Sequence, residues 1–406
     1  MKKNLLFKTF LLPLALLMSG CGVNAESSSS SIFSSSSSSF EGSSQTEDSS
    51  EESSSSQQAQ FKLTVNSVNT EHGTAQVLKG SGRVNDETSV LATCESGYSF
   101  IGWYSDYELI SSDLQYDFVM PSNDVTLTAV FASPASLRGD TPFLIPDTKT
   151  VVFGSYPQEF VEDEDIVAAL GSMSGGHTEG TILEYGTDED DVPERYLVSS
   201  VVKSRYAASG TKMNEGIGYF KFAPLYWRVL EKRGNQLTFF TEEVVDGVYW
   251  REIDSEDKHL INNYEFSDIR PFINNEFLNM AFTASQQEYI NVSHVDNSIE
   301  TTSVITDECI CDDTNDKVYL LSYRDIVDNL LETNYIIGNT TDYARARNVE
   351  MSALKDSYGR AYWASRSPDA VHLFVSVVNP FGEVERYEYA YDYLSGVRPA
   401  MTINVS

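Results

Sequence analysis

Four cysteines and sixty acidic residues are the side chains whose chemistry this 406-residue sequence puts forward first. Cys21 follows Lys2, Lys3 and Lys8, an apolar run Leu11–Met18 broken by Pro13, and the small pair Ser19-Gly20. A cysteine there offers a nucleophilic thiol that no other side chain replaces. Cys94 stands alone, and Cys309 and Cys311 are one residue apart, poor spacing for a mutual disulfide. With no C-x-x-C pair and no H-E-x-x-H, neither a metal site nor a cofactor is expected. The stretch Asp307-Glu-Cys-Ile-Cys-Asp-Asp313, with Asp316 beyond, clusters carboxylates as a Ca²⁺ site would but lacks the spacing and glycine of an EF-hand, so a solvated acidic loop is expected. Trp363 and Arg366 are the candidate binding residues, because a tryptophan can stack on a sugar or peptide and an arginine can clamp a carboxylate. Trp363 has a core reading as well. Arg398, in the turn Gly396-Val-Arg-Pro399, is expected to be a buried structural arginine satisfying carbonyls; the alternative is a ligand clamp. A nucleophile elbow, a P-loop and a dinucleotide glycine run are absent, and sixty acids offer too many pairs for catalytic carboxylates to be picked out.

The segment ending at Cys21 reads as an export signal, its apolar run too short to span a bilayer as a helix. It resembles the lipobox of bacterial lipoproteins, with Met18 where leucine is commonest. That resemblance implies a diacylglyceryl group on Cys21, removal of residues 1–20, and anchoring at the extracellular face of the cell membrane; the alternative is an ordinary secretory signal with an incidental cysteine. Nineteen of the thirty residues Ser27–Ser56 are serine. Such a stretch buries too little apolar surface to offset its ordering entropy, so residues 21–60 are expected to be a disordered tether. Tether and anchor support each other.

The net charge is −32, and residues 1–20 contribute three lysines and no acid, so the processed chain is more acidic still. That balance repels polyanions and excludes nucleic-acid binding.

The sequence after the tether is read as two folded regions. From 61 to 131, alternation at Phe61, Leu63 and Val65, at Val90–Cys94, at Tyr98–Tyr104 and at Val125–Phe131 predicts a small antiparallel β-module. The string Gly97-Tyr-Ser-Phe100-Ile-Gly102-Trp103-Tyr104, followed by Phe118-Val-Met120-Pro121 and Asp124–Phe131, resembles the divergent internalin-B-type repeat of bacterial surface proteins. The resemblance implies a β-grasp-like spacer or adhesive module without catalytic residues; Trp103 is expected to fill its core. Pro134, Gly139, Pro142 and Pro146 mark 132–147 as a linker.

Residues 148–406 are expected to form one large α+β domain with a largely antiparallel sheet. Residues 161–194 read as an acidic loop or insertion. A hairpin is expected across Arg233-Gly234-Asn235, and helices after Asp268, after Thr283 with Gln286 as a capping box, and after Ser322 with Asp325. The ordered set Gly154-Ser-Tyr-Pro157-Gln158, Trp227–Leu230, Ile269–Phe277, Val318–Ser322, Trp363–Pro368 and Gly396-Val-Arg-Pro-Ala400 resembles a bacterial extracellular family of unknown function ending in GVRPA. The closing motif is more loosely similar to the formylglycine-generating-enzyme branch of C-type-lectin-like folds. Those enzymes use a late cysteine pair to bind copper; no cysteine follows Cys311, so that oxidase activity is not expected.

Together these readings predict a lipid-anchored surface protein that binds or adheres to an extracellular protein or glycan without catalysis. The alternative is a cell-envelope hydrolase with unidentified catalytic carboxylates.

Overall fold

The computed structural model describes residues 60–404, apart from 81, 147, 189, 252–261, 304–310, 372 and 391–393. Cys21, the serine-rich segment, Asp307, Glu308 and Cys309 lie outside the described residues. The chain is multi-domain and β-rich, 46% strand against 16% helix, and the longest uninterrupted α-helix among the described residues is Glu164–Ser172. The sheets therefore carry the architecture.

The first module folds around Trp103, Val90, Ala92, Leu127, Ala129 and Phe131, all buried. The Trp103 indole N–H donates to the Asp113 carbonyl at 3.1 Å, so the largest ring of the core leaves no polar atom unpaired. Two sheets enclose this core. One orders Gly73–Lys79, Glu87–Cys94 and Gln115–Val119; the other orders Leu63–Ser67, Val125–Ala132, Ser99–Ser105 and Glu108–Ser111. The expected all-antiparallel arrangement is corrected at one pair: Leu63–Ser67 runs parallel to Val125–Ala132, with Leu63 opposite Val125. The two strands are far apart in sequence, so no hairpin forces them antiparallel.

Residues 132–147 are not a bare linker. Ser133 caps a short helix, Pro134–Leu137, and Phe143–Leu144 adds to the edge of the next sheet opposite Val151 and Val152. Leu137 and Ile145 are buried in one cluster with Ile101, Tyr104 and Val130 of the module and Val152 of the domain. Apolar residues spaced between the prolines thus glue the module to the second region.

Eight antiparallel strands form the main sheet of the second region. Its axis is the long strand Gly216–Arg233, which pairs with Thr150–Phe160, Pro193–Val201 and Gln236–Thr241. Ala400–Asn404 pairs with Gln236–Thr241, and Val318–Tyr319 with Ala400–Asn404. The hairpin turn falls at Gly234-Asn235, where Gly234 takes φ +61°. A second, five-stranded sheet orders Asp246–Tyr249, Leu394–Val397, Trp363–Pro368, Phe374–Val378 and Val384–Tyr389. Between the two sheets lies the main core, including Phe153, Trp227, Phe239, Trp250 and Phe277.

Three local expectations are corrected. Residues 161–194 are folded: Asp163 accepts from Asp165 and Ile166 N–H to cap Glu164–Ser172, and Ile182–Thr187 forms an edge strand. After Asp268 the helix runs from Ile269 to Ala281 with a π turn at Ile273–Phe277, but Asp268 makes no side-chain cap. The Thr283/Gln286 box does form, with Thr283 N–H donating to Gln286 Oε1 at 2.7 Å and Gln286 N–H to Thr283 Oγ1 at 3.3 Å, yet it starts only the single turn Gln286–Glu288. The Ser322/Asp325 box caps Tyr323–Asn329. No described helix is long and apolar enough to cross a membrane.

Candidate functional site

Two chain segments cross from the main sheet to the five-stranded sheet side by side. Glu242–Val245 joins Gln236–Thr241 to Asp246–Tyr249, and Arg398-Pro399 joins Leu394–Val397 to Ala400–Asn404. The crossovers hold each other through Thr241 N–H to the Pro399 carbonyl at 3.0 Å and Val245 N–H to the Val397 carbonyl at 3.0 Å. Where paired strands splay into different sheets, carbonyls lose ladder partners and must find others. Arg398 supplies them. Its Nε and Nη2 donate to the Thr241 carbonyl at 3.0 and 2.9 Å, Nη2 also to the Glu242 carbonyl at 2.9 Å, and Nη1 to the Tyr335 carbonyl at 2.7 Å. Its guanidinium is fully buried, 4.6 Å from the Phe240 ring centroid and 4.8 Å from that of Trp363. Burial pulls its pKa down to about 9, against the pull of Glu242 and Glu243, so it remains charged at neutral pH. Gly396 lets the strand before Arg398 lie close against its neighbours: a Cβ there would lie 2.5 Å from the Tyr362 carbonyl oxygen.

A cavity of about 790 Å³ opens beside the crossovers. Ile101, Tyr104, Glu108 and Leu109 of the first module line one side; Thr150, Gln158, Tyr226, Glu242, Glu243, Tyr335 and Arg345 of the second region line the rest, with Tyr206, Ala208, Lys355 and Tyr358 also in its wall. That volume falls in the range of ligand sites, about 300–1,000 Å³. Across the seam, Glu108 Oε1 meets Arg228 Nη2 at 2.8 Å, and the Arg228 guanidinium lies 3.6 Å from the Tyr335 ring centroid. Arg228 is buried, whereas Glu108 is exposed enough for solvent to weaken its half of the pair.

Glu242 and Glu243 stand deep in the molecule yet keep accessible surface, because the cavity reaches them. Burial pushes the Glu242 carboxyl up, partly offset by the Thr150 hydroxyl, which donates at 2.8 Å, and by Arg228 and Arg398. Burial pushes Glu243 up to about 7. The Glu243 carboxylate has no hydrogen-bond or ion-pair partner among the described residues. Burial likewise raises the pKa values of Tyr104, Tyr226 and Tyr335, keeping their hydroxyls neutral. The arrangement can hold a ligand between aromatic rings and present it to carboxylates.

Trp363 and Arg366 lie elsewhere. Trp363 is fully buried and its indole N–H donates to the Ile336 carbonyl at 2.9 Å. Arg366 is buried, with Nη1 on the Leu320 carbonyl at 2.8 Å and on Asp325 at 2.9 Å, and Nη2 on the Asp296 carbonyl at 3.1 Å. Neither reaches the cavity, so ligand stacking or clamping by this pair is replaced by structural roles: Trp363 packs on Arg398, and Arg366 ties three segments together. In the acidic stretch, Asp313 faces His294 at 3.1 Å and Asp316 faces Arg270 at 2.8 Å. Among the described residues no group of three or more His, Cys, Asp or Glu is placed to hold a metal ion, and neither Cys94 nor Cys311 forms a disulfide.

Sequence reading passed over Glu242, Glu243 and the tyrosines. A signal was present: Phe239-Phe-Thr-Glu-Glu-Val-Val245 sets two acids inside an otherwise apolar run, a context in which acids are buried rather than solvated.

No curated protein and no solved structure matches the chain. Two family models do. The first match begins close to the first described strand, and the second begins at the hairpin turn and includes both crossovers, leaving the strands of 150–233 outside either. Residues 63–135 match the model of a divergent InlB B-repeat domain, and residues 235–405 match that of a domain of unknown function (DUF6273).

Proposed function

We propose that this chain is a lipoprotein held at the outer face of a bacterial membrane by a lipid on Cys21, and that its folded part binds an extracellular ligand, a glycan or a protein group, in the cavity between the InlB-type repeat and the domain after it. The observation that carries the reading is the cavity itself. It is walled by both regions, ringed by tyrosines and floored by Glu242 and Glu243. Tyrosine offers large contact area with a polar tip at low entropic cost, the composition of many recognition surfaces. The serine-rich segment after Cys21 suits display away from a membrane. A C-type-lectin-like fold for the second region belongs to the same proposal, supported by the Gly396-Val-Arg-Pro turn.

Glycan and protein arrays probed with the purified chain and with Ala208→Trp test the binding site. Ala208 is exposed in the cavity wall, so the larger side chain blocks the space without entering the core. Binding by the parent that the variant loses is expected; binding unaffected by Ala208→Trp would place the site elsewhere. For the anchor, Cys21→Ser is expected to abolish fatty-acid labelling, and continued labelling would refute it.

A second reading is favoured by one observation. A carboxyl held near neutrality can act as a general acid, and Glu243 is pushed up to about 7. A cell-envelope hydrolase would use it with Glu242. Turnover of peptidoglycan or polysaccharide that Glu243→Gln abolishes would establish this reading over non-catalytic binding.

A further inference from the structure

We infer that the cavity selects a ligand bearing a cationic group, a primary amine or a guanidinium, which seats against the Glu243 carboxylate. This rests on the reading that the cavity is the ligand site. Glu243 faces the cavity and has no hydrogen-bond or ion-pair partner among the described residues. A carboxylate so far from bulk water is costly unless something pairs with it.

The neighbouring guanidinium groups are committed elsewhere. Arg345 donates to the Thr340 hydroxyl at 2.8 Å, to the Thr340 carbonyl at 3.3 Å and to the Tyr206 carbonyl at 3.1 Å, and it faces Asp342 at 3.6 Å. Arg398 is spent on the Thr241, Glu242 and Tyr335 carbonyls. Arg228 is spent on Glu108 and the Tyr107 carbonyl. Lys355 lines the wall but is exposed.

Glu242, the next residue, adds a second charge of the same sign, so the floor repels phosphates and carboxylates and attracts a cation. Its aromatic wall suits the same ligand. Tyr335 already carries a guanidinium on one face, at 3.6 Å from Arg228, and tyrosine rings attract cations through the negative face of the π-system. The net charge of −32 draws cations toward the whole molecule, though salt screens that term beyond about 8–10 Å.

The groups facing Glu243 are Glu242 and Arg398 from the crossovers and Asp342 and Arg345 from the helix Asp342–Ala346. Burial dominates among them and leaves the carboxyl partly protonated at neutral pH. An arriving cation favours the ionised form, so binding releases a proton.

Calorimetric titration of the purified chain at 150 mM salt tests this, with cadaverine, agmatine and a matched pair of sugars: a glucosamine tetramer and its fully N-acetylated, neutral counterpart. The amines and the cationic tetramer are expected to bind, the tetramer at least tenfold more tightly than its neutral twin. Glu243→Gln is expected to erase that advantage and the buffer-dependent proton release. Equal binding of the two tetramers, lost in Ala208→Trp, would overturn the cationic preference and leave the cavity as the site. Amine binding that survives both Glu243→Gln and Ala208→Trp would overturn both. Absence of binding by every cationic probe would overturn the preference.

Discussion

Arg398 and Glu242, 156 residues apart in the chain, are joined by a hydrogen bond of 2.9 Å from the guanidinium Nη2 to the backbone carbonyl. That bond ties the Gly396–Ala400 motif to the floor of the cavity. Arg398 acts through backbone it positions, and Trp363 and Phe240 hold its guanidinium between their rings.

Arg398→Ala removes the guanidinium donors from the Thr241, Glu242 and Tyr335 carbonyls. With buried unsatisfied acceptors costing about 1–3 kcal/mol each, and with the cavity able to admit water to some of them, the expected loss is about 3–5 kcal/mol. Arg398→Lys should recover only part of it, because an ammonium cannot reproduce the planar fork. Thermal denaturation of the two variants is the measurement; an unshifted melting curve for Arg398→Ala would contradict a structural role.

Arg228 is the hinge pin of the seam. Arg228→Ala breaks the contact with Glu108 and uncovers the Tyr335 ring. The module and the following domain are expected to melt as one transition in the parent and as two in the variant, read by calorimetry. A single transition in both would mean that the apolar cluster around Ile101, Val130 and Ile145 couples them unaided.

Protease resistance is expected from the same cluster. With Leu137 and Ile145 buried and Phe143–Leu144 paired into a sheet, residues 132–147 should survive limited proteolysis of the purified chain, although their proline and glycine content reads as a linker. Early cutting there would show that the seam opens in solution.

Glu243 gives stability a pH dependence whose sign is unusual for a carboxylate. Its folded pKa is about 7, above the ordinary 4.5. The folded state therefore holds the proton more tightly, and this contribution is full below about 4.5 and is lost as pH rises through about 7. Over that window the loss is on the order of 3 kcal/mol. Glu243→Gln, which is neutral throughout, is expected to melt above the parent at pH 8 and level with it near pH 4.5. Parallel melting profiles across that range would count against the burial of this charge. Glu242, Asp342, Arg345 and Arg398 face the same group in both proteins.

Local pattern in the sequence determined much of this protein. The alternation at 63–67 and 125–131, the Gly234-Asn235 turn, the Ser322/Asp325 box and the core place of Trp103 all depend on neighbours a few residues apart, and each is in the structure. The repeat was legible for the same reason, because its motif is one compact string. Partners distant in sequence were decided only by the tertiary structure. Nothing near Glu242 announces that Arg398 will bond its carbonyl, nor that Glu108 of the first module will close over the same space. The sequence offers Trp363 and Arg366 as recognition residues, Trp363 with a core role beside it, because side-chain type does not encode depth. Both are interior because the strand Trp363–Pro368 is the central strand of its sheet, where each side chain meets other protein rather than solvent. A cavity belongs to no segment; this one is the volume left between the first module, the strand carrying Tyr226, the Glu242–Val245 crossover and the segments near Tyr335 and Tyr358, and it exists only once those long-range contacts have formed.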